Sequence, residues 1–167
     1  EGSACDRLSQ GWYRYAVGQV RSDQRHWMQA LPDMITFIHQ HRRYLVVHGA
    51  PSDIARFVWP VSDEAIFRSE FDLAEAVVGP VNAVLAGHCG IPFERVMEGR
   101  HWINAGAIGM PPHDGRSLTR FAVLGSRGVR IERLQHDAEA AAKSMVHAGL
   151  TQGYDQSLLI GIWPSED

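Results

Sequence analysis

The segment that decides the fold runs from Val84 to Pro111 and reads VLAGHCGIPFERVMEGRHWINAGAIGMP. It begins in an apolar run typical of a buried strand, and this run ends at Gly87 and His88. The sequence FERVMEGRHWIN then alternates about the dipeptide Glu98-Gly99, a pattern that indicates a β-hairpin. The segment therefore predicts a buried strand that presents His88 at its end, followed by a hairpin and a glycine-rich turn.

A second histidine occupies a matching position upstream. The continuously apolar run YLVV, which suggests a strand buried on both faces, is followed by His48 and Gly49. Ligand sites in open α/β sheets form beyond the carboxyl ends of strands, and neighbouring strands lie only about 5 Å apart. We therefore expect His48 and His88 to lie close enough to share a metal ion. The alternative is that each histidine only makes hydrogen bonds within its loop, as partly buried histidines commonly do.

The remaining patterns predict an α/β protein with mixed sheets. Strands are expected at Met34–His39 and Tyr44–His48, and a second hairpin turns about residues 126–128. Helices are expected at residues 22–31 with Ser22 as the N-cap, at 51–60, 62–71 and 72–79, and at 137–149 with Asp137 as the N-cap; a short amphipathic segment follows within 150–163. Residues 1–20 have no clear pattern. Hairpins together with buried strands predict a layered α/β body in one domain, residues 1–167.

Composition excludes several classes of function. The chain has 167 residues, of which 45% are apolar, a length and content that suit one soluble domain with a sizeable core. A net charge of −3 provides no basic field for nucleic acid, and no apolar run is long enough to cross a membrane. Cys5 and Cys89 form no CxxC pattern, so a reduced cytoplasmic protein is the simpler interpretation and a disulfide between them is the alternative. The missing initiator Met suggests a fragment or a processed product.

Three stretches in this order and spacing resemble a known family: YLVVHGAPSD, VLAGHCGIPF and HWINAGAIGMPPHDGRSLTRFAVL. They are similar to the second half of the calcineurin-like metallophosphoesterases, and most of all to the bacterial phosphodiesterase-type branch. The likeness extends from about Trp27 to the carboxyl-terminal helix. It implies a layered α/β/β/α metallophosphoesterase-like sandwich with mixed sheets, from which the N-terminal part of the fold is missing. It also implies a two-metal centre at the strand ends that hydrolyses a phosphodiester or a phosphomonoester.

The resemblance also assigns roles to particular residues. His48 corresponds to the metal ligand of the family's H-G element, and His88 to the first histidine of its G-H-x-H element. Asn104, Gly106 and Gly109 correspond to the turn that packs beneath the site. The implied cofactors are divalent metal ions (Mn, Fe, Zn or Ni), and the implied small-molecule partner is a phosphate-ester substrate or phosphate.

Two departures from the family pattern weaken the expectation of activity. Gly90 stands where the family has its second metal-binding histidine, and Cys89 stands where Ser or Thr is usual. The amino-terminal motifs D-x-H and G-D do not occur, and GSACDR at residues 2–7, with Asp6 as its acid, is the one candidate remnant of G-N-H-[DE]. Two imidazoles without carboxylates make a poor site for two hard or borderline divalent ions.

Two hypotheses about function therefore stay open. In the first, the chain is part of a metal-dependent phosphoesterase whose remaining ligands come from residues outside this chain or from a partner chain. In the second, it is a degenerate, non-catalytic metallophosphoesterase-like protein that acts in binding or assembly. Open sheet edges favour self-association, so a homo-oligomer is expected in the second case.

Overall fold

The strands predicted about Tyr44 and Val84 lie at the centre of a five-stranded sheet in the computed structural model, which describes residues 4–164 except the side chains of residues 4–9. In chain order the strands of this sheet are β1 (Ile35–His39), β2 (Arg42–Val46), β3 (Ala83–Ala86), β4 (Phe93–Met97) and β5 (Arg100–Asn104). The spatial order is β1-β2-β3-β5-β4, with β2, β3 and β5 parallel and both edge strands antiparallel. The carboxyl ends of the three parallel strands therefore lie at one rim of the sheet.

Both faces of this sheet are covered, as the apolar run in β2 predicts. On one face, Leu45 belongs to a core cluster with Phe67 and Phe71 of the helix α3 (Glu64–Val78). On the other face, Tyr44 belongs to a cluster that includes Leu124 of a second, two-stranded sheet. The strands of this sheet are β6 (Thr119–Gly125) and β7 (Gly128–Leu134), which pair antiparallel. Helix, five-stranded sheet and two-stranded sheet are the first three layers of the predicted sandwich, and the α/β class with mixed sheets is confirmed.

These layers form one of two compact units, made of residues 33–112 and 118–136. The other unit contains residues up to 32 together with 113–117 and those from 137 onward. It is helical: its helices are α1 (Ala4–Gln19), α2 (Ser22–Gln29), α4 (Ala138–His147) and α5 (Tyr154–Ile160). A single domain for the whole chain stays a prediction. Within the described residues, no helix has both the length and the apolar content that a membrane span requires.

The structural features that depend only on neighbouring residues were predicted correctly. The hairpin between β4 and β5 turns at Glu98 and Gly99, whose φ angles of 50° and 80° both lie in the left-handed region that such two-residue turns require. Asp137 is the N-cap of α4, and its Oδ1 accepts a hydrogen bond from the backbone N–H of Ala140 at 2.9 Å. The second hairpin, β6–β7, also forms where it was expected.

The helix predictions were wrong in three details. Residues 51–60 form an irregular loop instead of a helix, because the Asp53 carboxylate accepts the backbone N–H of Ala55 at 2.7 Å and closes a tight turn. The helices expected at 62–71 and 72–79 are the single helix α3, whose buried Phe67, Phe71 and Ala74 form one continuous stripe. The N-cap of α2 is Arg21, and Ser22 is its first helical residue.

A buried carboxylate holds the 51–60 loop in place. Glu70 lies on the inner face of α3 and is only 1% exposed. Its oxygens accept hydrogen bonds from the backbone N–H of Ser52 at 2.9 Å and from the Ser52 hydroxyl at 2.8 Å, and Nε of Arg56 lies 3.0 Å from Oε1. A buried charge is tolerated only when it is paired and hydrogen-bonded in this way. The loop that follows β2 is therefore fixed to the helical layer by one side chain.

We predict that Glu70→Ala lowers the free energy of unfolding by about 2 kcal/mol, because it removes several hydrogen bonds to a charged acceptor and leaves a small void. Urea denaturation followed by circular dichroism measures the change. Glu139→Ala is the control, since the exposed pair of Glu139 with Lys143 contributes at most about 0.5 kcal/mol. Equal stability of the two variants would contradict the role given to Glu70.

Candidate metal site

The two predicted histidines emerge side by side at the rim where the parallel strands end. Beyond the last residues of β2 and β3, the backbone pairing continues: Val47 N–H donates to Leu85 O at 3.0 Å and Gly87 N–H to His48 O at 2.9 Å. Each histidine follows the last residue of its strand by two positions. Their rings therefore meet, with Nδ1 of His88 at 3.1 Å from Nε2 of His48 and a ring-centroid distance of 5.0 Å.

The turn that carries His88 has a constrained backbone. His88 has a φ angle of 45°, in the left-handed region that residues with a Cβ seldom adopt. The backbone N–H of Cys89 donates to the carbonyl of Gly87 at 2.6 Å, so the chain reverses directly about His88. Such a conformation costs of the order of 1–2 kcal/mol and persists only where the surroundings stabilise it.

Asn104, at the end of β5, supplies that stabilisation from beneath. Its amide nitrogen donates to the carbonyl of Gly87 at 2.5 Å and to Sγ of Cys89 at 3.1 Å, and its Oδ1 accepts the backbone N–H of Gly106 at 2.9 Å. The side chain is 1% exposed. Asn104 thus connects the His88 turn to the glycine-rich turn that follows β5.

The other residues of these turns pack without reaching the imidazoles. A Cβ on Gly106, whose φ is 74°, would fit tightly, at 3.2 Å from Pro92 Cδ and 3.3 Å from the carbonyl oxygen of Gly90. A Cβ on Gly109 would meet nothing within 4 Å, so this glycine does not pack closely beneath the site. Cys89 is a buried free thiol whose Sγ contacts Asn104, and burial raises the pKa of this thiol. It is a packing residue rather than a ligand.

Phe57 lies against the other side of the His88 ring. The centroids of the two rings are 4.3 Å apart, and Trp59 stacks on Phe57 at 5.2 Å with an interplanar angle of 7°. Burial and then the neighbouring His48 lower the pKa of His88, while the Ala55 backbone and the Asp53 charge act in the opposite direction. The His88 ring is therefore neutral at pH 7, which is the form that binds metal ions.

The geometry of the two imidazoles suits one metal ion. Two nitrogens that each lie about 2.0–2.1 Å from an ion, at angles between 90° and tetrahedral, are about 2.9–3.4 Å apart. The 3.1 Å between Nδ1 of His88 and Nε2 of His48 falls within that range. Imidazole donors favour Zn, Ni, Fe or Cu over Mg or Ca.

The same residues do not fit a complete two-metal centre. Among the residues that the structure describes, no group of three or more His, Cys, Asp or Glu side chains is placed to hold a metal ion. Gly90 provides no side chain next to His88, and the side chain of Asp6 lies outside the described residues. The described part of the chain therefore offers two imidazole nitrogens, whereas a two-metal centre needs several oxygen ligands as well.

Comparison with known proteins supports the fold but not a sequence family. No family model and no curated protein sequence matches the chain. Among solved structures, a metallophosphoesterase from Sphaerobacter thermophilus superimposes with a TM-score of 0.67 at 20% identity, over 86% of this chain and 65% of that one. The chain has the metallophosphoesterase fold. A hypothetical protein from Pyrococcus horikoshii OT3 superimposes with a TM-score of 0.68 at 14% identity, over 85% of this chain and 56% of that one.

The resemblance read from the sequence motifs is thereby confirmed as a likeness of fold. The chain spans less than two thirds of each of these two structures. At such low identities the superposition shows the architecture alone, so ligation of a metal by His48 and His88 stays a prediction.

Sequence reasoning missed Phe57 and Glu70 as determinants of the site. The aromatic and β-branched residues of FVW at 57–59 were a usable signal, since such residues are enriched in extended chain. No local pattern identifies the partner of Glu70, because that carboxylate binds a residue 18 positions away.

We predict that Asn104→Ala lowers the free energy of unfolding by about 2–3 kcal/mol, because it removes the hydrogen bonds of a buried side chain to Gly87, Cys89 and Gly106. Chemical denaturation measures the loss. Asn82→Ala is a matched control at the start of β3: it removes a single hydrogen bond, from Arg43 N–H at 2.8 Å, and Asn82 is exposed. A cost for Asn104→Ala as small as that of the control would show that the His88 turn does not depend on Asn104.

Proposed function

We propose that this chain takes part in metal-dependent hydrolysis of a phosphate ester, and that His48 and His88 provide two ligands of the metal centre. The observation that carries the proposal is the 3.1 Å separation of two imidazole nitrogens at the carboxyl ends of parallel strands. The metallophosphoesterase fold of the chain supports the reaction class. The divalent ion expected there is Mn, Fe, Zn or Ni.

In this proposal the described residues bind and orient the metal ion. A bound divalent ion would supply an activated water and charge for the phosphate oxygens. The neutral His88 and its neighbour His48 would hold the ion, while Asn104 and Phe57 would keep the His88 ring in position. The carboxylate ligands would come from residues outside the described chain or from a partner chain, because two imidazoles alone do not make a hydrolytic centre.

A second candidate function is non-catalytic binding or assembly. Gly90 in place of a ligand, and the lack of a third metal-binding side chain among the described residues, favour it. The edge strand β1 exposes Ile35 and Ile38, and unpaired edges recruit other strands. A homo-oligomer formed through such an edge is the expected form of this protein if it is not an enzyme.

We also propose a small-molecule partner and a cellular compartment for this protein. The small-molecule partner proposed for the enzyme is a phosphate ester or phosphate itself. The cytoplasm is the proposed compartment. Cys89 carries a free thiol, as a reducing compartment allows, whereas the side chain of Cys5 lies outside the described residues.

We predict that the chelator-treated chain binds one Zn²⁺ ion, and that His48→Ala or His88→Ala each weakens binding by about tenfold or more, because each variant removes one of the two described donors. Isothermal titration calorimetry measures both. The control is His147→Ala, which removes an exposed imidazole from the last turn of α4. Equal affinity of all four proteins would reject the metal site.

Turnover separates the two candidate functions. The substrate is bis-p-nitrophenyl phosphate with Mn²⁺, and the protein is the full product of the coding region. Hydrolysis that His88→Ala abolishes, together with metal binding, supports the enzyme. Metal binding without hydrolysis supports the non-catalytic alternative.

A further inference from the structure

The helical unit contains a groove that no part of the proposed metal chemistry uses. It lies between α4 and α5, next to Ser117, and has a volume of about 660 Å³. Its apolar wall is formed by Ala138, Ala142, Val146 and Leu159. Concave, mainly apolar spaces of about 300–1,000 Å³ with a few polar groups are the usual form of small-molecule sites.

A buried carboxylate lines this groove without a full set of partners. Asp155, in the first turn of α5, is 5% exposed. Its Oδ2 accepts a hydrogen bond from the Gln156 amide at 3.2 Å, whereas its buried Oδ1 has no hydrogen-bond partner among the described residues. Such an acceptor is costly to bury, and a native structure normally supplies it with a partner. The first turn of a helix favours a negative charge but donates no hydrogen to Oδ1 here.

The other charges about the groove leave Asp155 uncompensated. Lys143 and Glu139 lie at the rim, about four-fifths exposed, and their charged atoms approach each other to 3.8 Å across one turn of α4. The lysine is thus directed to its own helix neighbour. One positive and two negative side chains line the groove, so its field favours a cation.

We propose that this groove binds a small organic cation that has an apolar body, such as an alkyl or aryl primary amine. The ammonium group would donate to the Asp155 carboxylate, and the hydrocarbon part would lie against the wall formed by Ala142, Val146 and Leu159. An apolar body accounts for the alanine and valine lining, and the cation accounts for a buried carboxylate whose Oδ1 has no hydrogen-bond partner among the described residues. The site is independent of the imidazole pair and does not require the proposed hydrolysis.

Dansylcadaverine, a fluorescent primary amine, is the probe that tests this site in the whole chain. When the dansyl group enters the groove, its fluorescence anisotropy increases and its emission shifts to shorter wavelength. The matched neutral probe has a hydroxyl group in place of the terminal amine. We expect the amine to bind about tenfold or more tightly than the alcohol, since hydrogen bonds between charged groups are the stronger class.

Variants of the groove assign the binding to particular residues. Asp155→Asn keeps the shape of the side chain and removes its charge, and it should weaken amine binding by about tenfold or more while leaving the alcohol unaffected. Glu139→Gln removes an equal but exposed charge and should change the affinity less than about twofold. Val146→Trp, at a position that is more than half exposed, should block both probes without disturbing the core.

Three results would overturn the proposal: no binding of the amine, equal binding of amine and alcohol, or unchanged amine affinity in Asp155→Asn. A thermal melt of each variant shows that it is folded. If Asp155→Asn does not fold, the ratio of amine to alcohol affinity in the wild type, together with the loss of both probes in Val146→Trp, decides the question.

Discussion

The parallel pairing of β2 with β3 is the constraint on which the candidate site depends. Parallel strands end at the same rim of a sheet, and the ladder between these two continues past Val46 and Ala86 through the hydrogen bonds of Val47 and Gly87. Because the register is fixed that far, His48 and His88 must leave the sheet side by side. The apolar residues that hold the register are buried between α3 and the two-stranded sheet. A slip by one residue would turn each of these side chains to the opposite face.

The position of the two histidines at the rim does not by itself set the orientation of their rings. Three side chains from other parts of the sequence contribute to that orientation. Asn104 supports the left-handed turn of His88 from below, and Phe57 covers the outer side of the His88 ring. Phe57 belongs to a loop that Glu70 ties to the helical layer through Ser52 and Arg56. A buried carboxylate on α3 is thus connected, through one loop, to the conformation of an imidazole at the sheet rim. Burial, and after it the neighbouring His48, lowers the pKa of His88 and favours its neutral ring.

The sequence allowed prediction of those features that neighbouring residues determine. The turn at Glu98-Gly99 and the cap at Asp137 each depend on a few adjacent residues, and both were found as expected. The loop at 51–60 was mistaken for a helix because Ser52-Asp53 has the composition of a helix start. In the folded protein Ser52 binds Glu70 instead, and Asp53 closes a turn. The proximity of the two histidines was predictable, because the carboxyl ends of neighbouring parallel strands lie at the same rim of a sheet. The burial of Asp155 was not predictable from the sequence, because it arises from the packing of α5.

The most direct measurement of the central claim is nuclear magnetic resonance of the histidine rings in the metal-free protein, labelled with ¹⁵N and ¹³C. Long-range ¹H–¹⁵N correlation spectra identify the tautomer of each ring, and nuclear Overhauser effects report which rings are adjacent. We expect Overhauser contacts between the rings of residues 48 and 88, with a proton shared between Nδ1 of His88 and Nε2 of His48 at neutral pH. Two rings that show no mutual Overhauser contact and no shared proton would contradict the adjacency of His48 and His88.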